Sequence, residues 1–280
     1  MTRKPPSVAL TNLVIAFVIL LWTLIPIYHM VVMALSPTGG TPAGQLIPSD
    51  PTLDNFALTL TEEHFLVQHF WQHLYNSAFV ALSVAFLTLF ISTLASFAIS
   101  RLKFSLGGAV SGTALLTYLI PASFLAIPMY VTMTNYDLVE TRLSLIMVMV
   151  TFATPYAIWV FVQHADSIPR ELDEAARIDG ASPLQLYRLV FLPLMTPAIV
   201  AIGTYALLLA WNEYLYAFLL VSQEMNMTLP VSIGYFLLSD EAPWNLLMAV
   251  GILYSIPPAI FYYAVRGYMS SGLTAGAVKA

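Results

Sequence analysis

Apolar residues in this chain come in long unbroken runs, not in the two-residue alternation of a half-buried strand or the three-to-four spacing of a half-wet helix. The first extends from Leu10 to Leu35, and five more cover about residues 76–100, 108–133, 143–163, 195–221 and 244–265. Each is near the ~20 residues that a helix needs to cross hydrocarbon, with slack for tilt. The pattern predicts an all-α integral membrane protein with six transmembrane helices. Two polar intervals stand out: 36–75, which ends in an aromatic amphipathic piece from Glu62 to Tyr75, and 164–192, where charge is concentrated. The first run is too long for the apolar part of a signal peptide and has no small-residue cleavage site, so it is expected to be a retained span.

Composition agrees with residence in lipid. Of 280 residues 59% are hydrophobic and 9% charged, against about 25% charged in a soluble domain. A cytosolic enzyme is excluded, and the absence of cysteine excludes disulfide scaffolds, thiolate metal sites and cysteine nucleophiles. Sorting the charges gives orientation. With the N-terminus inside, Arg3, Lys4, Arg101, Lys103, Arg170, Arg177, Arg188, Arg266 and Lys279 fall on the cytoplasmic side and Arg142 alone outside, the bias that sets topology. Both termini are then cytoplasmic: residues 1–9 lead into a six-span region, 10–266, followed by a tail, 267–280. Segment 36–75 is an external loop and 164–192 a cytoplasmic one. Prolines inside the runs, among them Pro26, Pro121, Pro155 and Pro257, free backbone carbonyls and bend helices; membrane proteins tolerate this where neighbours or a cavity satisfy the freed groups.

The cytoplasmic loop holds five acidic and three basic residues. Pro169 suits a first helical position, and Glu171, Asp173 and Glu174 lie in the early turns, where the macrodipole favours anions. Gly180 after Asp179 can take the left-handed stop. Ser182 and Pro183 read as the cap and first residue of a second short helix that reaches Leu192 and Pro193. Ala175, Ala176 and Gly180 would let another protein's backbone come close, with Glu174 and Arg177 at the rim. The composition equally fits a charged surface helix that joins two spans.

The order Glu174-Ala175-Ala176, three residues, Gly180, nine residues, then Val190-Phe191-Leu192-Pro193 resembles the EAA motif of the membrane subunits of ABC-type importers, with Val where Ile is commoner. The resemblance implies a type I ABC importer permease fold in a bacterial cytoplasmic (inner) membrane. It also implies that Glu174, Ala175, Ala176, Arg177, Asp179, Gly180, Leu192 and Pro193 couple the spans to an ATPase. Arg101-Leu102-Lys103-Phe104, Trp211-Asn212 and the ending from Gly272 to Lys279 are similar to the carbohydrate-importer branch, specifically its shorter permease, the maltose importer's second membrane subunit. In that branch the tail, here Gly272, Ala275, Gly276 and Lys279, reaches between the ATPase subunits; a frayed terminus is the plainer reading of its last positions.

The partners so implied are a second homologous permease subunit forming a heterodimer, two copies of an ABC ATPase, an extracytoplasmic solute-binding protein, a sugar substrate and the bilayer, with no nucleic acid. The chain has no phosphate-binding loop and only three lysines, Lys4, Lys103 and Lys279, so it is expected to be a transport subunit, not an enzyme. It would carry no cofactor or metal of its own, and ATP and Mg would belong to the ATPase.

A substrate path is sought on the fifth run. Tyr205, Leu209, Asn212 and Tyr216 fall within about 60° of one another at 100° per residue, with Glu213 one step round. Glu213 is the one carboxylate placed inside a span, a functional position by default. Snorkelling or interhelical bonding would also explain it, as belt packing would the aromatics. Tyr118, Tyr130, Ser123 and Tyr156 are further candidates from other spans. His69 and His73, four apart with His64 nearby, have a spacing that metal ligands could use, but no third-ligand pattern accompanies them, and an interfacial helix anchored by Phe65, Phe70, Trp71 and Tyr75 is the plainer reading. The alternative function is an ion-coupled secondary transporter of a small solute, for which several intramembrane charges and internal repeats would be expected.

Overall fold

Described in the structure, a computed structural model, are residues 6–37, 46–48, 50–102, 107–238 and 243–277. All regular structure among them is helical. In chain order the helices are α1 (Pro6–Ala34), α2 (Asp54–Leu60), α3 (Phe70–Arg101), α4 (Gly107–Leu116), α5 (Ala126–Asn135), α6 (Arg142–Asp166), α7 (Glu171–Ile178), α8 (Pro183–Gln185), α9 (Leu192–Leu194), α10 (Thr196–Trp211), α11 (Leu215–Leu220), α12 (Leu229–Phe236) and α13 (Trp244–Ala277). Among the described residues four helices are long and apolar enough to cross a bilayer, and up to six spans result when each of two bent pairs counts as one. Lys279, assigned to the tail by the sequence, lies outside the described residues; Gly272, Ala275 and Gly276 fall in the last turns of α13.

The chain divides into two compact units, residues 1–70 with 232–256 and residues 71–231 with 257–280. In the first, α1 presents apolar side chains outward from Leu10 to Tyr28, as suits a helix surrounded by lipid or another subunit. Its C-terminal carbonyls would be orphans. Buried Asn55 answers them, its Nδ2 donating to Ala34 O at 2.9 Å and Ser36 O at 2.7 Å. Asn245 donates to Pro37 O on the same segment.

In the second unit α3 and α6 run side by side and parallel. Their N-terminal ends meet where Arg142 Nη1 donates to Asn76 Oδ1 at 3.2 Å, and their C-terminal ends meet where Arg101 Nη2 donates to Ala165 O at 3.0 Å. The chain between them must therefore return once across the bundle. The return is made by a bent pair, α4 with its short extension to Leu119 and then 122–135, at 89° to each other. Pro121 causes the bend: Ile120, which precedes it, is extended at φ −90°, ψ 116°, because proline's ring disfavours a helical predecessor. By contrast Pro26, Pro155, Pro257 and Pro258 sit inside continuous helices.

Ala153, Ala157 and Ala165 of α6 are fully buried, and small residues let membrane helices approach at backbone distance. Phe97 of α3 lies edge-to-face on Phe191 at 5.2 Å and on Tyr187 at 5.3 Å. These rings centre a core that also takes in Phe161, Leu186, Met195 and Ile202. This core underlies the loop between α6 and α10.

Candidate functional site

The loop that the sequence singled out is a bracket built on that core. α7 starts at Glu171, two residues after Pro169, and ends with Gly180 at φ +83°, the left-handed stop. Nothing lies within 4 Å of where a Cβ on Gly180 would sit, so backbone conformation, not crowding, asks for glycine there. Ser182 then caps the next helix through a full capping box: its Oγ accepts from Gln185 N at 3.4 Å, and Gln185 Oε1 accepts from Ser182 N at 2.8 Å. A π-helical stretch follows from Leu186 to Phe191, with Leu192 N–H reaching Tyr187 O five residues back. Pro193 has no N–H to give Leu189 O, and its ring crowds that carbonyl; the wider turn accommodates both.

α7 has two faces. Asp173 is buried and Ala176 packs on the core, while Glu171, Glu174, Ala175, Ile178 and Asp179 are exposed. The small-residue surface expected at Ala175 and Ala176 is thus divided: Ala175 is free to meet another molecule, and Ala176 meets this one. Leu192 is partly buried and Pro193 exposed.

Sequence reasoning passed over the contact that anchors the bracket. Arg101, counted above as a topogenic cation, ends α3 with its Nε 2.8 Å from Asp173 Oδ2, the two side chains being 2% and 9% exposed. Its Nη2 donates to Ala165 O and to Ile168 O at 3.0 and 3.2 Å. Arg177 Nη2 in turn donates to Arg101 O at 3.3 Å. The available signal was the spacing of Asp173, Ala176 and Arg177, which puts an acid and a base on the same helix face as an alanine.

The second region is a cavity of about 420 Å³ between the α4–α5 bend, α6 and the α10–α11 junction. Tyr118, Tyr205, Leu209, Glu213 and Tyr216 line it, as do Thr151 and Pro155. Pro155 leaves Thr151 O without its usual donor inside a continuous helix, and this freed carbonyl belongs to a residue that borders the cavity, where it is tolerated. Tyr118 Oη donates to Phe152 O at 2.9 Å and lies 3.1 Å from Tyr205 Oη. Tyr156 packs against both rings, with centroids 5.9 and 4.9 Å away. The cavity is lined mostly by apolar and aromatic side chains, with three phenol groups and one carboxylate among them.

The continuous stripe expected on the fifth run does not form, because the helix stops at Trp211 and restarts at Leu215. Asn212 closes α10, its Nδ2 donating to Leu208 O at 2.9 Å; it is exposed and outside the cavity lining. Glu213 Oε1 accepts from Tyr216 N at 2.8 Å and so caps the first turn of α11. Asn and Glu side chains that bond to nearby backbone compete with the helix here. Tyr216 Oη donates to Ala122 O. Tyr130 and Ser123 lie outside the lining.

The amphipathic helix expected from Glu62 to Tyr75 begins only at Phe70 and continues into α3 without interruption. Within it His73 Nε2 pairs with Glu224 O at 2.8 Å, so the helix holds this ring against a loop. Among the described residues no group of three or more His, Asp or Glu is placed to hold a metal ion.

The family profile described as "Binding-protein-dependent transport system inner membrane component" matches residues 88–274. The chain is 32% identical to the trehalose transport system permease protein SugB of Mycobacterium tuberculosis, over 92% of this chain and 93% of that one. It is 30% identical to the trehalose/maltose transport system permease protein MalG of Thermococcus litoralis, over 91% of each. Its fold matches that of a chain from a bacterial ABC transporter involved in import of the acidic polysaccharide alginate, with a TM-score of 0.79, 22% identity, and coverage of 95% of this chain and 99% of that one.

Proposed function

The chain belongs to the family of binding-protein-dependent transport system inner membrane components, and from that premise we propose that it is one half of the translocation path of an ATP-driven importer for a sugar or sugar derivative. It is a multi-pass protein of the inner membrane and a permease subunit without a nucleotide-binding motif of its own. ATP and Mg are used by a separate ATPase, present in two copies, one of which docks on the exposed face of α7 at Glu174, Ala175 and Asp179. A second permease subunit completes the pore, and an extracytoplasmic binding protein delivers the solute. Each partner binds one state of the permease better than the other, and that difference drives alternating access. The observation that carries this reading is the bracket: an exposed helix with a glycine stop, tied to the ends of α3 and α6, in a family of transport components. The carbohydrate class is supported by the trehalose and maltose permeases named above, and by a cavity that offers rings and hydrogen-bonding groups together.

In sealed proteoliposomes holding the complete complex, uptake of the cognate sugar is expected with ATP on the coupling side and not with an ion gradient alone. Uptake driven by the gradient would replace this reading with secondary transport. Within the cavity, Glu213→Gln keeps an oxygen for Tyr216 N but removes the charge. Hydrogen bonds to charged groups are stronger by about 1–1.5 kcal/mol, so the apparent KM for uptake is expected to rise by about tenfold with ATP-to-sugar coupling unchanged. An unaltered KM would make Glu213 a helix cap only.

A further inference from the structure

We infer that Arg101 and Asp173 form a buried strut that positions α7 against α3 and α6, so that a push on the exposed face of the loop is delivered to the spans and not absorbed in the loop. This inference rests on reading α7 as the ATPase docking element. It adds a positioning residue in a span-end helix that does not itself face the ATPase.

Three observations carry it. The first is burial: both side chains are at or below 9% exposed, so the pair is shielded from the solvent screening that weakens surface ion pairs. The second is connectivity. One guanidinium reaches three segments, Asp173 on α7 through Nε and the carbonyls of Ala165 and Ile168 at and beyond the end of α6 through Nη2. Those carbonyls lie at the C-terminal pole of α6, where a cation is favoured, and Ala165 O accepts from Ile168 N at 3.1 Å as well. The third is a second tie one turn along α7, where Arg177 Nη2 returns to the backbone carbonyl of Arg101 itself. Asp173 and Arg177 are four apart and hold the inner face, while Glu174 and Ala175 stay exposed. An eight-residue helix is marginal alone, so its orientation must come from ties of this kind.

Stability alone is a poor account of the pair, because a buried ion pair gains little over apolar side chains of the same volume. A planar fork supplies direction instead. A lysine carries a compact charge and lacks that geometry.

The test uses the whole complex in proteoliposomes and reads sugar imported per ATP hydrolysed, normalised to assembled complex. Arg101→Lys keeps the charge and loses the fork. The double variant Arg101→Met with Asp173→Leu leaves no unpaired buried charge and so remains informative where the single variant does not assemble. Both are expected to lower the sugar-to-ATP ratio by about tenfold, within the range of coupling free energies between sites. A purely structural pair would lower uptake and stimulated hydrolysis together with assembly, and the double variant would restore the ratio; either result overturns the strut. Wild-type complex that imports nothing with ATP would instead remove the docking reading, and the strut with it.

Discussion

Gly180→Pro is expected to reach the membrane in normal amount and to carry no ATP-driven uptake. Two features of position 180 forbid proline. The backbone sits at φ +83°, whereas proline is held near −65°. Its N–H also donates to Arg177 O at 3.1 Å, closing the last turn of α7. The change therefore re-aims the chain between α7 and the capped helix after it. The long apolar helices are untouched, so insertion proceeds. Gly180→Ala meets no neighbour and bears only the left-handed penalty of about 1–2 kcal/mol; Gly180→Asn, which tolerates that region, should retain most activity. The order Asn, Ala, Pro in uptake and in substrate-stimulated ATPase, against constant membrane content, is the measurement. Normal uptake by the proline variant would deny the loop any role in docking.

Asn76→Leu is expected to cause the largest loss of stability of any single change at the end of the bundle where α3 begins. The side chain is fully buried and uses both ends. Nδ2 donates to Met225 O at 2.9 Å and Met227 O at 2.8 Å, and Oδ1 accepts from Gln72 at 2.9 Å and Arg142 at 3.2 Å. Leucine leaves two carbonyls and a guanidinium contact unanswered, a cost of about 3 kcal/mol or more when each such buried group costs ~1–3. The segment from 222 to 227 loses its main tie to α3, although Glu140, which accepts from Ser222 N and Gln223 N at 2.8 Å each, still holds it to the turn before α6. A lowered unfolding midpoint in detergent checks the assignment. An unchanged midpoint for the leucine variant would show that the loop is held elsewhere.

Different residues were legible for different reasons. Local rules sufficed for the bracket: the left-handed stop at Gly180 and the cap at Ser182 are written within a few residues of chain, and both stand as the sequence suggests. The prolines were legible as bends but not as a ranking. Pro121 turns the chain by 89° while Pro155 sits in an unbroken helix, because neighbours decide whether a freed carbonyl is answered. The stripe on the fifth run failed for a related reason. The hundred-degree rule assumes an unbroken helix, and Asn212 and Glu213 each bond to nearby backbone and break it. Tyr205, Glu213 and Tyr216 still meet around one cavity, joined by Tyr118 from the α4–α5 segment, whereas Asn212 and Tyr130 do not reach it.

By itself the sequence determined what depends on solvent and on neighbours along the chain: that the protein lies in lipid with up to six apolar spans, and how α7 stops and the helix after it is capped. Transfer of apolar surface from water is nearly additive over residues, and caps act within a turn or two, so both can be read in one dimension. The tertiary structure alone decided which charge is paired. Arg101 and Asp173 are 72 positions apart in the chain and 2.8 Å apart in space. Their contact follows from the meeting of the C-terminal ends of α3 and α6 at Arg101 and Ala165 and from the inward face of α7. A buried ion pair is a property of where three helix ends converge, and no local pattern encodes that convergence.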